Sequence, residues 1–372
     1  MQIMSFTNCP IDPNLGSGKT VSTYSKGLRS LGYSVDVFEP KKYEHWQHFR
    51  KAKKFRQAWG AWSVVKQEIR ANQYNIIEFY GDEFWLAIWQ LSKLPQRPLL
   101  VAHTNGLELL YRHRSSSYNP YNNYLRDWFD KQTHARFSLM AFAHADAFVS
   151  LCELDRKYVL NLGLYPAQRT AVVEPGLDEE YLSLPFISQK QERVAFIGTW
   201  IARKGVKNLS TVMTRVLTQH PDLNFDIYGT GGARDTVLAS FPAKLHTRIA
   251  VHPRLSNQEI ANGLAQAKVF FFPSQYEGFG IALAEAMACS CAVVTTPTGF
   301  GAELKDEREA LLCNFEDVEA MERHISRLLQ DDDLRLKIAR QGWERVRSLN
   351  WESNIKKLAT IYSEWIAEHQ TR

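Results

Sequence analysis

Apolar residues in this chain gather into short unbroken runs, and between the runs they recur every three or four positions. The runs in the first half are MQIMSF, SVDVFEP, YNIIEFYG (74–81), PLLVAHT (98–104), ADAFVSLC (145–152) and TAVVEPG (170–176). Those in the second half are RVAFIG (193–198), LNFDIYG (223–229), IAVHPRL, VFFF (269–272) and CAVVTT (291–296). Runs this short, bounded by Gly, Pro or polar residues, predict strands, and the continuous ones predict strands buried on both faces. The intervening TVSTYSKGLRSLGY, DEFWLAIWQLSKL, VKNLSTVMTRVLTQ, NQEIANGLAQA and IALAEAMA read as helices. Alternation of the two predicts α/β architecture. Residues 178–191, DEEYLSLPFISQKQ, follow neither period and read as a linker, after which the pattern restarts. From Asp317 the chain is helical, and Trp351 starts a last helix. The expected domains are 1–180 and 190–350, with 351–372 as a C-terminal helix.

The stretch Val269–Glu303 carries the most chemistry. Pro273 ends its strand, Glu277 precedes a Gly278-Phe279-Gly280 turn, and Ile281 opens the run IALAEAMA. Glu285 lies inside that run, eight residues after Glu277. Glycines let backbone N–H groups approach an anion, and a following helix N-terminus carries partial positive charge. Two carboxylates beside such a turn accept hydrogen bonds from hydroxyl groups. A phosphate between two polyols, as in a nucleotide sugar, fits this pattern. An ordinary βαβ turn with two solvated glutamates fits the same spacing.

Further candidates lie just past strand ends, where open α/β sheets place their ligands. His103 and Asn105 follow PLLVAHT, and either faces a ligand or serves as a satisfied structural polar group. Arg203 and Lys204, after one strand and before a helix, are placed to grip a diphosphate, or are solvated loop cations. Gly229 closes LNFDIYG. GSGKT (Gly16–Thr20) invites a P-loop reading, but that pattern needs glycine where Pro13 stands. Gly16 and Gly18 then read as a close-approach loop facing a ligand, or as a plain helix start. Asp331-Asp332-Asp333 matches an Asp-x-Asp metal motif in form. Its place before a helical run is better explained by capping and dipole compensation, and no metal site is expected.

Composition sets limits. The 372 residues are 45% hydrophobic and 23% charged, the balance of an ordinary globular chain. No run of roughly 18 apolar residues occurs, and the N-terminus lacks a basic segment followed by an apolar one. Neither a membrane span nor a signal peptide is expected. The five cysteines are scattered apart from Cys289-x-Cys291, which favours neither zinc nor a disulfide framework and makes a reducing cytoplasm the default. The net charge of +5 belongs to residues 1–190, with 23 Lys+Arg against 18 Asp+Glu; the remainder holds 22 of each. Residues 41–70 concentrate nine Lys/Arg, two Glu and six aromatic residues. Phe49, Ala52, Phe55, Trp59 and Trp62 recur there at helical spacing. The pattern predicts a helix whose aromatic stripe packs on the sheet, or one that touches an anionic membrane or lipid-linked acceptor. No nucleic-acid motif accompanies it, and no nucleic-acid partner is expected.

Glu277 and Glu285, in the context EGFGIALAEAMA, reproduce the Glu-x7-Glu signature of retaining GT-B glycosyltransferases, and the chain resembles glycosyltransferase family 4. Gly16-Ser17-Gly18 is similar to the family's N-terminal glycine loop, and VEPGLD (173–178) to its hinge-proximal segment. FIGTWIARKG (196–205) is similar to its diphosphate-gripping strand and loop, and TGFGAEL (298–304) to its second glycine loop. The resemblance implies two Rossmann-like, doubly wound domains facing across a cleft. The first would bind the acceptor and the second the nucleotide sugar, with the last helix crossing back to the first. It implies Glu285 on the ribose, Glu277 on the donor sugar, and Lys204 on the leaving diphosphate. Backbone groups around Gly278, Phe279, Gly280 and Ile281 would meet sugar hydroxyls or phosphate, with Gly16, Gly18, Gly198, Thr199 and Gly229 also at the donor.

Two departures stand out. Thr199 occupies the position where the family carries arginine, with Arg203 four residues on. The family's N-domain histidine corresponds to His103 by strand position, or to Asn105 by the following Gly106-Leu107-Glu108. The reaction implied is retaining, metal-independent transfer of a hexose from a nucleotide diphosphate sugar to an acceptor hydroxyl. The acceptor would be a glycan or lipid-linked, in cell-surface polysaccharide or glycolipid synthesis, with the protein cytoplasmic or peripheral at the inner face of the membrane. The competing reading is a catalytically weak glycan- or nucleotide-binding protein on the same scaffold.

Overall fold

The computed structural model describes residues 1–12, 16–45, 52–118, 133, 135–232 and 234–371. The chain divides into two compact units, Met1–Gly176 with Trp351–Arg372, and Leu177–Asn350.

In the first unit, β1 (Gln2–Thr7), β2 (Ser34–Phe38), β3 (Ile76–Tyr80), β4 (Leu99–His103), β5 (Ala147–Ser150) and β6 (Thr170–Val172) form one parallel sheet. Its order is β2-β1-β3-β4-β5-β6, so the winding reverses between β1 and β3. Every residue of β3 and β4 is buried, as continuous apolar runs covered on both faces require. Phe6, Tyr43, Phe79 and Phe84 meet at ring distances of 5.7 to 5.8 Å in this core. The helix Trp351–Gln370 belongs to this unit. Gly176 lets it start there, because any side chain at that position would collide with the Trp351 backbone.

The aromatic stripe of residues 41–70 is not a core stripe. Residues 46–51, Phe49 among them, lie outside the described residues, as does Pro13. The helix Lys53–Ala71 buries Gln57, Ala58, Gly60, Ala61 and Val65 instead. Gly60 sits so close to the Tyr43 backbone that the small-residue face must point inward. Trp62 packs partly on the core, while Phe55 is 45% and Trp59 67% exposed.

In the second unit, β7 (Gln191–Ile197), β8 (Asn224–Tyr228), β9 (Ile249–His252), β10 (Ala267–Phe272), β11 (Ala292–Thr295) and β12 (Leu311–Leu312) form the other sheet. It too is parallel, in the order β12-β11-β10-β7-β8-β9, so its switch point lies between β7 and β10. Residues 178–191 are no free linker. They pack on this unit: Trp343 Nε1 donates to Leu184 O at 3.3 Å, Arg347 donates to Leu182 O, and Ile187 N donates to Ser290 Oγ at 3.0 Å. Asp331 caps the helix Asp332–Val346 by accepting from Leu334 N, and Asp332 pairs with Arg335.

Candidate functional site

The carboxyl ends of β7 and β10 flank the switch point of the second sheet, which is where parallel α/β sheets open a crevice. The loop after β7 turns through Ala202–Lys204 and ends on Gly205, left-handed at φ 70°. A side chain on Gly205 would collide with Pro273 O, so glycine lets this turn rest on the loop after β10. Gln275 N donates to Arg203 O at 2.9 Å, fixing the two loops to each other. Gly198, at φ 158°, lies against the Lys204 chain, which an added Cβ would meet at an ordinary contact distance of 3.5 Å.

Lys204 crosses to Glu277. Its Nζ donates to both carboxylate oxygens, at 2.7 and 2.9 Å, and stands 5.3 Å from the Phe272 ring centre. The pair is largely withdrawn from water, with side-chain exposures of 17% and 9%. Glu277 N donates to Thr298 Oγ1 at 2.9 Å. Gly280, at φ 89°, and Gly299, at φ 54°, approach the Glu277 side chain, and Phe279 stacks on Phe300 at 5.1 Å. The glycine loop therefore joins the second loop, Thr298–Glu303, around one carboxylate. Ile281 begins the helix Ile281–Ala288, whose N-cap is Gly280. Glu285, one turn on, is 9% exposed. It lies near Tyr181, whose hydroxyl is kept protonated first by burial and then by the Glu285 charge.

Thr199 is exposed, and its methyl would touch a Cβ on Gly231 at 3.5 Å. Trp200 N donates to Thr230 O, and Gly229 N to His252 O, so the ends of β7, β8 and β9 are tied side by side. Arg203 shares the turn of Lys204.

The first unit separates the two residues left open above. His103 is buried at the end of β4, its Nε2 2.6 Å from Tyr362 Oη and its ring 4.3 Å from that of Tyr80. Burial holds the imidazole down to about 3, so it stays neutral. Tyr362 donates to Glu78, which also accepts from Ser5 Oγ, and burial pushes Glu78 up to about 7. His103 thus belongs to a buried network with Glu78 and the last helix. Asn105 differs: its Oδ1 and Nδ2 are both buried and have no hydrogen-bond partner among the described residues. Buried amides are nearly always paired, so this side chain has unfilled capacity. Among the described residues an added Cβ on Gly16 would meet no atom within 4 Å, whereas Gly18 is packed hard against the backbone of Pro10 and Asp12.

Neither Tyr362 nor Ser5 is marked as functional by any local sequence pattern. Each is brought to its partner only by the fold.

Two family models match the chain: Glycosyltransferase Family 4 over residues 16–181, and Glycosyl transferases group 1 over residues 180–345. The chain belongs to glycosyltransferase family 4. Among family relatives, the D-inositol 3-phosphate glycosyltransferase of Salinispora tropica is 28% identical over 259 residues, 62% of this chain and 53% of that protein. The chain spans about half the length of the curated relatives it matches. Sucrose-phosphate synthase from Thermosynechococcus elongatus superposes with a TM-score of 0.79 at 19% identity, over 99% of this chain and 100% of that one. WaaG, a glycosyltransferase involved in lipopolysaccharide biosynthesis, superposes with 0.71 at 14% identity, over 97% and 99%. The fold is GT-B.

Proposed function

We propose that the chain is a retaining glycosyltransferase that moves a hexose from a nucleotide diphosphate sugar to an acceptor hydroxyl. The observation that carries this reading is the Lys204–Glu277 pair beside the Gly278–Gly280 turn, at the switch point of the second sheet. Lys204 has three protons and spends two on Glu277, so an arriving diphosphate can take the third or draw the ammonium over. Glu277, so released, accepts from a donor-sugar hydroxyl. Glu285 takes the ribose, Arg203 adds a second cation, and backbone groups near Gly198, Thr199, Gly229, Phe279 and Ile281 complete the donor contacts.

In this mechanism the sugar–phosphate bond breaks while the acceptor oxygen bonds the same face of the anomeric carbon. The leaving diphosphate takes the acceptor's proton, so configuration is retained and no side chain must act as base. Asn105 supplies hydrogen bonds to a sugar hydroxyl; Gly16 and Gly18 shape the neighbouring loop; His103 stays in its network. The first unit serves the acceptor and the second the donor. A thermal-shift screen of the full chain against UDP-, GDP- and ADP-sugars tests this. One of them, at 100 times its dissociation constant, should stabilise by about 2.7 kcal/mol. No shift with any of the three would sink the reading.

The relatives' names favour glycolipid or polysaccharide synthesis, with a glycan or lipid-linked acceptor. Among the described residues no helix is long and apolar enough to cross a membrane. Peripheral contact with an anionic membrane through 41–70 rests on exposed Phe55 and Trp59 beside exposed Lys53, Lys66 and Arg70. Trp59→Ser should reduce co-sedimentation with phosphatidylglycerol vesicles. Equal sedimentation of both proteins would remove the contact.

A further inference from the structure

The edge of the first sheet carries a cavity of about 650 Å3 that the proposed reaction does not use. It runs along β2, the outermost strand, beside the helices Gly16–Ser30 and Lys53–Ala71. Its volume lies within the range of small-molecule sites.

The chemistry of the wall narrows the occupant. Arg29 donates to Val35 O, and Lys42 Nζ donates to Val37 O at 2.7 Å. These are carbonyls an added strand would need, so a peptide extending the sheet is disfavoured. Lys26, Arg29 and Lys42 face Asp36, Glu39 and Glu68 across the same space. The charges balance, so neither an anion nor a cation gains a net field. A hydroxyl both donates and accepts, and so gains from each kind of group.

Much of the wall is built in advance. Tyr74 Oη donates to Asp36 Oδ2 at 3.0 Å and to Glu68 Oε2 at 3.4 Å, and Asn72 Nδ2 donates to Glu68 Oε2 at 3.0 Å. Burial, and then the bond to Asp36, keeps the Tyr74 hydroxyl protonated. Ile11 N donates to Glu39 Oε2 at 3.2 Å. Among the described residues, one oxygen each of Asp36 and Glu39 accepts no hydrogen bond and is left for a ligand. Ser25, only 3% exposed, lines the cavity with a hydroxyl that has no partner among the described residues, and neither has the Lys26 ammonium.

We infer that this cavity binds a neutral, hydroxyl-rich ligand, a segment of glycan, on the outer edge of the unit rather than at the β1–β3 switch point. Naming the ligand a glycan rests on the glycosyltransferase reading; the preference for a neutral polyol rests on the wall alone.

Amide NMR of the full chain tests it, with methyl α-mannopyranoside, maltotriose and inorganic phosphate as probes in the absence of donor. A neutral sugar should shift the amides of Val35, Val37 and Phe38. Lys26→Ala and Asp36→Asn should each weaken that binding about tenfold, as loss of a charge-assisted hydrogen bond does. Both variants should keep the wild-type thermal shift with nucleotide sugars. Shifts with phosphate alone, no shifts with either sugar, or unchanged affinity in both variants would overturn the inference. Sugar-induced shifts in a protein that no nucleotide sugar stabilises would support the cavity while removing the proposed reaction.

Discussion

Lys204→Ala is expected to slow sugar transfer by about 10²–10³, the cost of deleting one preorganised donor to a developing oxyanion. The ammonium is the group best placed for this task, because Gly205 seats its turn on the loop after β10. The substitution also leaves Glu277 as a largely buried carboxylate without its cation. Stripping one partner from such a pair destabilises, here by roughly 1–3 kcal/mol given the partial exposure of the lysine. A second variant separates the two effects. Lys204→Met with Glu277→Gln removes the unpaired charge, so it should recover most of the stability and none of the rate. Single-turnover transfer and thermal unfolding of both variants provide the check. Near wild-type turnover in Lys204→Ala would show that the diphosphate is stabilised elsewhere.

The second large effect concerns the buried network of the first unit. Glu78 is raised by burial from 4.5 to about 7, so its contribution to stability is present below pH 4.5 and is lost as pH rises toward 7. Over that span the loss is roughly 3 kcal/mol. His103 is lowered by burial from 6.5 to about 3, so its contribution is present above pH 6.5 and is lost as pH falls. Glu83, which follows β3, is raised to about 7 by burial and by the Asp82 charge, and adds a slope of the same sign as that of Glu78. Between pH 4.5 and 6.5 two carboxyl slopes therefore oppose one histidine slope, and amide exchange in β3 and β4 should report an opening free energy that falls with pH by roughly 3 kcal/mol. In Glu78→Gln the slopes of Glu83 and His103 oppose and nearly cancel, so the profile should be flat across the same window. A profile in Glu78→Gln as steep as the wild type's would mean that Glu78 does not titrate against the fold.

Most of the architecture is legible in the sequence because parallel strands buried on both faces leave unbroken apolar runs. β12 escapes that reading: Leu311–Leu312 is two residues long and owes its pairing to β11. The register of Lys53–Ala71 escapes it for another reason. Aromatic spacing marks one helix face, but the close approach of Gly60 to Tyr43 selects the face of small residues for the core. Lys204 and Glu277 are legible separately, each just past a strand end. Their meeting depends on β7 lying beside β10, an order that spacing does not encode. His103 and Asn105 are two residues apart and equivalent by pattern. What separates them is Tyr362, which reaches His103 from 259 positions along the chain.

Lys204 is proposed to grip the diphosphate of a nucleotide sugar. Calorimetric titration of UDP, GDP and ADP into the full chain and its Lys204→Met variant tests it most directly. The preferred nucleoside diphosphate should bind the variant at least about tenfold more weakly, a loss of roughly 1.4 kcal/mol. Equal affinity of the two proteins for every nucleoside diphosphate would contradict it.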